Sequence, residues 1–339
     1  MAHKKIKAAI IGVGHLGSFH VEQLLQIPEA ELVGVYDIDP QRLARVQRLH
    51  NVVAFETLDQ ALTTAEAVTI VAPTKDHFDI ATQALRAGCH VFIEKPITPT
   101  LEAADQLLRL AESEGRLIQV GHIERLNPAC QVLDQYNVQP RFIEGHRLSP
   151  FSSRGTDVPV VLDLMIHDID MVLHLIKSPV RKVRANGVKV ITDSPDIATA
   201  RLEFENGAVA NLTASRISQK KMRKLRLFQT SMYISIDLLQ QLTEVYRLVA
   251  PDVETPEAML NIPLDHNGRR RIITYEKPDI QTYNPLHLEL SNFIRSAAGL
   301  EEPVVDGYSA RAALDVAIRV QDAIAMTDNE PQGQIPKGP

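Results

Sequence analysis

Lys7-Ala8-Ala9-Ile10-Ile11-Gly12-Val13-Gly14-His15-Leu16-Gly17 is the stretch that decides the fold. The apolar run before Gly12 reads as a buried strand, and Leu16 to Ile27 reads as a helix stopped by Pro28. Gly12 permits a tight turn. Gly14 lets the backbone come close to a pyrophosphate, and Gly17 lets helix and strand pack closely. The helix start offers free N–H groups and a partial positive charge to phosphate, with His15 and Leu16 inside the loop.

Working outward, Glu31 to Tyr36 is the next strand, and Asp37 follows it 20 residues beyond Gly17. A carboxylate there accepts hydrogen bonds from an adenosine ribose and repels a 2′-phosphate, so NAD is favoured over NADP. Arg42, in the helix that follows Pro40, is the contrary signal, because a guanidinium can meet a phosphate. Ala67 to Val71, His90 to Ile93 and Leu117 to Val120 are further strands. Lys75 to Ala87, ended by Gly88, and Thr100 to Ser113 are helices. Strict alternation implies a doubly wound parallel sheet covered on both faces, a Rossmann domain over residues 1–122.

After Gly121 the rhythm changes. Glu124 to Tyr136 reads as a helix, followed by β-type segments at Arg141 to Arg147, Val183 to Thr192, Thr199 to Phe204, Ala208 to Ser215 and Leu225 to Ile236. Gly207 supplies a hairpin turn. Helices at Leu286 to Ala298 and Ser309 to Met326 close the chain. Residues 123–339 are therefore expected to form an α+β domain with a large, open, mainly antiparallel sheet.

The 339 residues suffice for two such domains, at 45% hydrophobic and 23% charged. A net charge of −6 gives no sign of nucleic acid or an anionic membrane as partner. Cys89 and Cys130 make neither a disulfide framework nor a zinc pattern. No cleavable signal is visible, and no apolar run approaches the about 20 residues of a membrane span, so a soluble, cytoplasmic protein is expected.

Two motifs carry chemistry. Phe92-Ile93-Glu94-Lys95-Pro96 is read as following the fifth parallel strand, whose carboxyl end faces the ligand crevice. Lys95 then points to where a nicotinamide and its substrate meet, and Pro96, by its restriction of Lys95 or a cis bond, fixes that aim. Val160 to Ile176 reads as a buried helix whose Asp163, His167, Asp170 and His174 fall at i, i+4, i+7 and i+11, with Asp168 off the stripe. Asp163 and His167 are one turn apart. A carboxylate on one imidazole nitrogen sets the tautomer and raises the basicity of the other, which suits proton abstraction from an alcohol as hydride leaves. A structural polar seam is the alternative. Without a tight pair such as HxxxH, no metal is expected.

Together these residues resemble the Gfo/Idh/MocA oxidoreductases. The matches are Gly12 to Gly17, Asp37, Ala72-Pro73-Thr74 with His77, Ala87 to Pro96, and Asp163 with His167. The resemblance implies a Rossmann domain joined to an α/β domain whose open sheet builds homodimers or homotetramers. It also implies cofactor contacts from Pro73, Thr74, His77, Glu94 and Lys95, and chemistry from Lys95, Asp163 and His167. His167 is assigned as base, Asp163 as its orienting partner and Lys95 as the donor to the reacting oxygen. Lys95 and His167 are interchangeable in the two roles. The family's usual glycine-rich approach to the Asp/His helix is replaced here by Asp157-Val-Pro-Val-Val.

For the substrate, His122, Arg125 and Asn127 follow the last Rossmann strand and could line a cleft. Arg216 to Arg226 holds six basic residues in eleven positions. Arg216 and Lys220, with Arg147 or Arg154, could hold a diphosphate, although such a run is commonly a solvated strand edge. The combination resembles the branch that oxidises the 3-hydroxyl of UDP-N-acetylglucosamine, whose keto product serves diamino-sugar synthesis for lipid A. A free polyol or monosaccharide dehydrogenase and a non-catalytic NAD sensor remain as alternatives.

Overall fold

Short, continuously apolar strands alternate with helices at the start of the chain because both faces of a parallel sheet must be buried. The computed structural model describes residues 4–152 and 158–328. Strands β1 (Ile6–Ile11), β2 (Ala30–Tyr36), β3 (Ala67–Ile70), β4 (His90–Glu94) and β5 (Ile118–Gly121) form one sheet in the order β2-β1-β3-β4-β5. All its pairings are parallel. The order reverses between β1 and β3, and ligands bind such sheets outside the carboxyl ends at that switch. Glu94 ends the fourth strand along the chain, not the fifth as the sequence suggested.

The connecting helices are α1 (His15–Leu24), α2 (Pro40–His50), α3 (Leu58–Thr64), α4 (His77–Arg86) and α5 (Leu101–Glu114). Asp39, Thr57 and Thr100 cap the starts of α2, α3 and α5 with side-chain oxygens. Helix α3 has no counterpart in the sequence reading, since seven residues give too little periodicity.

Glu124 to Tyr136 is not one helix. A 3₁₀ turn (Ile123–Leu126), the short α6 (Pro128–Gln131) and a second 3₁₀ turn (Val132–Gln135) take its place. Pro128 keeps Asn127 extended, at φ −65° and ψ 130°, and Asn127 then accepts a hydrogen bond from the Ala129 N–H.

The chain forms two compact units. The first comprises Met1–Gln131 and Gln281–Leu314, the second Val132–Ile280 and Asp315–Pro339. The contiguous division at 122/123 therefore misses a returning segment. Helix α8 (Pro285–Ala297) places Leu290, Phe293 and Ile294 in the same core as Val21, Leu24 and Phe92, which is why it belongs to the Rossmann unit.

In the second unit nine strands form one open sheet, in the order β13-β14-β12-β11-β10-β6-β9-β8-β7. They are β6 (Phe142–Leu148), β7 (Val180–Val188), β8 (Ile197–Phe204), β9 (Val209–Ser215), β10 (Met222–Gln229), β11 (Met232–Asp237), β12 (Leu242–Val249), β13 (Leu260–His266) and β14 (Arg269–Glu276). Only the β6/β9 pair is parallel. The expected single strand over 225–236 is a hairpin, because the Gln229–Met232 register leaves a two-residue turn at Thr230-Ser231. Strands β12 to β14 were not foreseen. Gly207, at φ +81°, turns β8 into β9 as expected.

Strand β7 ends before Thr192 because the next amides turn to a carboxylate. The N–H groups of Val190, Ile191 and Thr192 donate to Asp196 Oδ2 at 2.9, 2.6 and 3.0 Å, and the Thr192 hydroxyl donates to Oδ1 at 2.8 Å. Burial alone would raise the pKa of Asp196, but these donors hold it far below the ordinary carboxylate range. A depressed folded value stabilises the fold above the unfolded value of about 4 and loses that contribution as pH falls toward the folded one. Asp196→Asn is expected to lower the melting temperature at pH 7. The gap to wild type should narrow as thermal scans move below about pH 4, and a gap unchanged with pH would contradict the assignment.

Candidate active site

At the carboxyl ends of β1, β2 and β3 the Rossmann unit opens a cavity of 440 Å³, lined by Gly12, Gly14, Asp37, Ile38, Arg42 and Pro73 among others. Gly12 stands at φ +93°, and a Cβ on it would lie 2.7 Å from the Val71 carbonyl oxygen. A Cβ on Gly17 would meet the Gly12 carbonyl at 2.1 Å. At Gly14 the nearest atom to a Cβ is an Arg42 guanidinium nitrogen at 3.9 Å, so this position is open. The three glycines thus separate into a turn, a helix–strand contact and an approach for ligand. Helix α1 begins here with no side-chain cap and no acid in its first turn, leaving its amides to an anion. His15 and Leu16 are exposed at the loop.

Asp37 does local work. Its Oδ2 accepts the Val13 N–H and its Oδ1 the Asp39 N–H, both at 2.8 Å, so it braces the glycine loop and the approach to α2. Each oxygen keeps a further lone pair for a ribose hydroxyl. Arg42 pairs with Asp39 at 3.2 Å. An NAD-type dinucleotide fits these residues: an open glycine, an uncapped helix start and an acid at the tip of β2.

Toward β4, His77 is buried with Nδ1 2.9 Å from the Pro96 carbonyl and Nε2 2.9 Å from the Ala72 carbonyl. It ties the loop carrying Pro73 and Thr74 to the turn after Lys95. Burial pulls its basicity down, against the two carbonyls. Lys95 is half-buried and joined to Pro96 by a cis bond. His122 and Asn127 are buried, and the Asn127 amide donates to Glu124 at 3.0 Å. Arg125 donates to the Val304 carbonyl at 3.2 Å.

The second unit carries the other candidates. Residues Val161–Met165 form a π turn that runs into α7 (Ile166–Ile176). Its i→i+5 bonding breaks the straight stripe expected of an α-helix. Asp163 and His167 are half-buried, Asp168 and Asp170 are buried, and His174 is exposed. Arg147 is not at the surface: its guanidinium grips Asp168 through two bonds, Nε to Oδ2 at 3.0 Å and Nη2 to Oδ1 at 2.8 Å. Arg216 is buried and donates to the Val158 carbonyl at 2.6 Å, whereas Lys220 is exposed. Arg154 lies outside the described residues.

The Arg147–Asp168 fork was missed, although β6 gave the signal. Its inward phase is Ile143, Gly145 and Arg147, and an inward arginine requires a carboxylate. His20 was missed as well. It lies on the apolar face of α1 with Val21 and Leu24, and its Nε2 is 3.1 Å from Glu94 Oε1.

A glycine loop feeding an uncapped helix at a switch point defines a Rossmann-type dinucleotide-binding unit. Two family models match: an oxidoreductase family with NAD-binding Rossmann fold over residues 6–122, and the GFO/IDH/MocA C-terminal domain over 122–235. The chain belongs to the Gfo/Idh/MocA oxidoreductase family. It is 37% identical over 320 residues to the UDP-N-acetylglucosamine 3-dehydrogenase of Acidithiobacillus ferrooxidans, spanning 94% of this chain and 97% of that one. A solved structure of that enzyme superposes with a TM-score of 0.85 at 35% identity, covering 96% and 99%. The scyllo-inositol 2-dehydrogenase of Bacillus subtilis is 28% identical over 241 residues, covering 64% and 69%. Among the described residues no helix is long and apolar enough to cross a membrane.

Removing one partner of a buried ion pair strands the other charge, at a cost of about 3–5 kcal/mol. Arg147→Ala is expected to lose about that much in urea unfolding. A loss under 1 kcal/mol, together with weakened substrate binding, would instead support the diphosphate role expected from the sequence.

Proposed function

We propose that this chain oxidises the 3-hydroxyl of UDP-N-acetylglucosamine to a ketone, with NAD as cofactor. The supporting observation is the near full-length 37% identity to an enzyme named for that reaction, against 28% over a shorter stretch for an inositol dehydrogenase. NAD, when bound, supplies the hydride acceptor. In this reading Gly12, Gly14 and Gly17 with the start of α1 hold the pyrophosphate, and Asp37 takes the adenosine ribose. An acid already committed to two backbone amides leaves little accommodation for a 2′-phosphate, which favours NAD over NADP.

His167 takes the hydroxyl proton, Asp163 sets its tautomer, and Lys95 donates to the oxygen as it becomes a carbonyl. Lys220, exposed on the basic segment, is the accessible candidate for the diphosphate. His122, Arg125 and Asn127 shape the end of the Rossmann unit.

Purified protein with NAD and UDP-N-acetylglucosamine is expected to generate absorbance at 340 nm. Lys95→Ala and His167→Ala should each lower turnover by at least about 100-fold while retaining NAD binding. Turnover of inositols but not nucleotide sugars would move the substrate to the polyol class. Intact NAD binding with silence across both panels would leave a sensor.

We also propose that the chain forms a homodimer or homotetramer through its large sheet. Phe142, Phe228, Tyr233, Tyr246 and Tyr275 lie side by side across five strands, with successive ring centroids 4.8–5.5 Å apart. They face away from the buried Ile143, Leu227, Ile234 and Val245 and are themselves only half-buried. Such an aromatic row is a costly surface to leave in water. Light scattering should give a multiple of 37.7 kDa, and Tyr233→Glu with Tyr246→Glu should reduce it to the single chain. A wild-type monomer would end this proposal.

A further inference from the structure

Glu94 is a carboxylate placed where a carboxylate is expensive. Its side chain is 14% exposed, at the tip of β4. Opposite it in the sheet stands Gly121, where a Cβ would come within 3.0 Å of Oε2. A glycine there leaves the second oxygen room, where a Cβ would press against it. The first oxygen, Oε1, faces His20 Nε2 at 3.1 Å. The His20 side chain is fully buried and its ring packs edge-on against Phe92, at 5.8 Å between centroids. An ionised carboxylate has no proton to give, so Nε2 must be the donor. Nδ1 has no hydrogen-bond partner among the described residues. The ring is thus spent on a single polar contact, and that contact is Glu94.

We infer that His20 is a positioning residue: by donating Nε2–H to Glu94 it keeps that carboxylate ionised and fixed at the carboxyl end of β4, the edge of the sheet where a dinucleotide binds. The inference rests on the dinucleotide reading given above. A buried polar ring needs a reason to be in a core, and packing alone would be met by an apolar residue. Burial raises the proton affinity of Glu94. The His20 hydrogen bond opposes this first, then the charges of His20 on α1, Lys95 next along the chain and His77 on α4, and the balance lies below the ordinary carboxylate range. Without the His20 donor the largest opposing contribution disappears. Glu94 then takes up a proton at higher pH and is lost as an anionic acceptor at the sheet edge where the dinucleotide is proposed to bind.

Calorimetric titration of the full chain with NAD at pH 5 to 8 tests this. Wild type is expected to bind with nearly constant affinity across the range. His20→Phe keeps the ring packing against Phe92 but has no donor. It should bind normally at pH 8 and about tenfold more weakly at pH 5. His20→Gln, which restores an N–H, should recover a flat profile. In a Glu94→Gln background, His20→Phe should add no pH dependence.

A loss of affinity equal at every pH, or none at all, would overturn the role and leave His20 a packing residue. Should His20→Phe fail to fold, ¹⁵N spectra of the wild-type imidazoles decide the matter: an unprotonated His20 Nε2 at pH 7 overturns the inference. Wild type that binds no dinucleotide at any pH would bring down the cofactor reading itself, and this inference with it.

Discussion

No side chain fits where Gly12 and Gly17 stand, and the rest of the Rossmann unit is arranged around that fact. The backbone of β1 must turn under the Val71 carbonyl, 2.7 Å from where a Gly12 Cβ would be, and α1 must begin directly over the Gly12 carbonyl. This close approach brings the start of α1 to the switch point between β1 and β3, with its first amides uncapped. Asp37 then locks the loop by accepting the Val13 amide. The geometry that packs helix on strand is therefore the geometry that leaves donors for an anion.

The second recurring constraint is that several charges taken out of water meet dedicated partners. Arg147 and Asp168 fasten α7 to the middle of the large sheet through a bidentate fork. Asp196 gathers three amides and a hydroxyl to end β7. Glu94 has His20. Leaving such groups unmatched would cost more than the hydrogen bonds return, so each pair also settles where a backbone segment runs. In two of the three cases the settled segment bears candidate chemistry: the helix with His167, and the strand tip with Lys95.

Much of the candidate site was legible in local sequence. The glycine loop, Asp37 and Glu94-Lys95-Pro96 sit at fixed offsets from strand ends, and the strand ends are marked by apolar runs. Arg147 and Arg216 stood in the sequence as candidates to hold a diphosphate, and the structure buries both. Composition marks a basic segment, but only strand phase and cross-element contacts reveal that both guanidinium groups are buried. The stripe Asp163–His167–Asp170–His174 likewise assumed 3.6 residues per turn, and a π turn at Val161–Met165 altered the phase.

By itself the sequence determined the alternation of strand and helix and the glycine turn ahead of α1, and it marked Asp37, Lys95, Asp163 and His167 as candidates for the site. These depend on steric rules and spacings that act within a few residues. The tertiary structure decided the return of α8 to the first unit, the nine-strand order with its one parallel pair, the splitting of the 225–236 run, and which carboxylate each buried cation meets. Those outcomes depend on burial between segments more than a hundred residues apart, as with Phe92 and Phe293, and no local pattern encodes which distant apolar face will cover which.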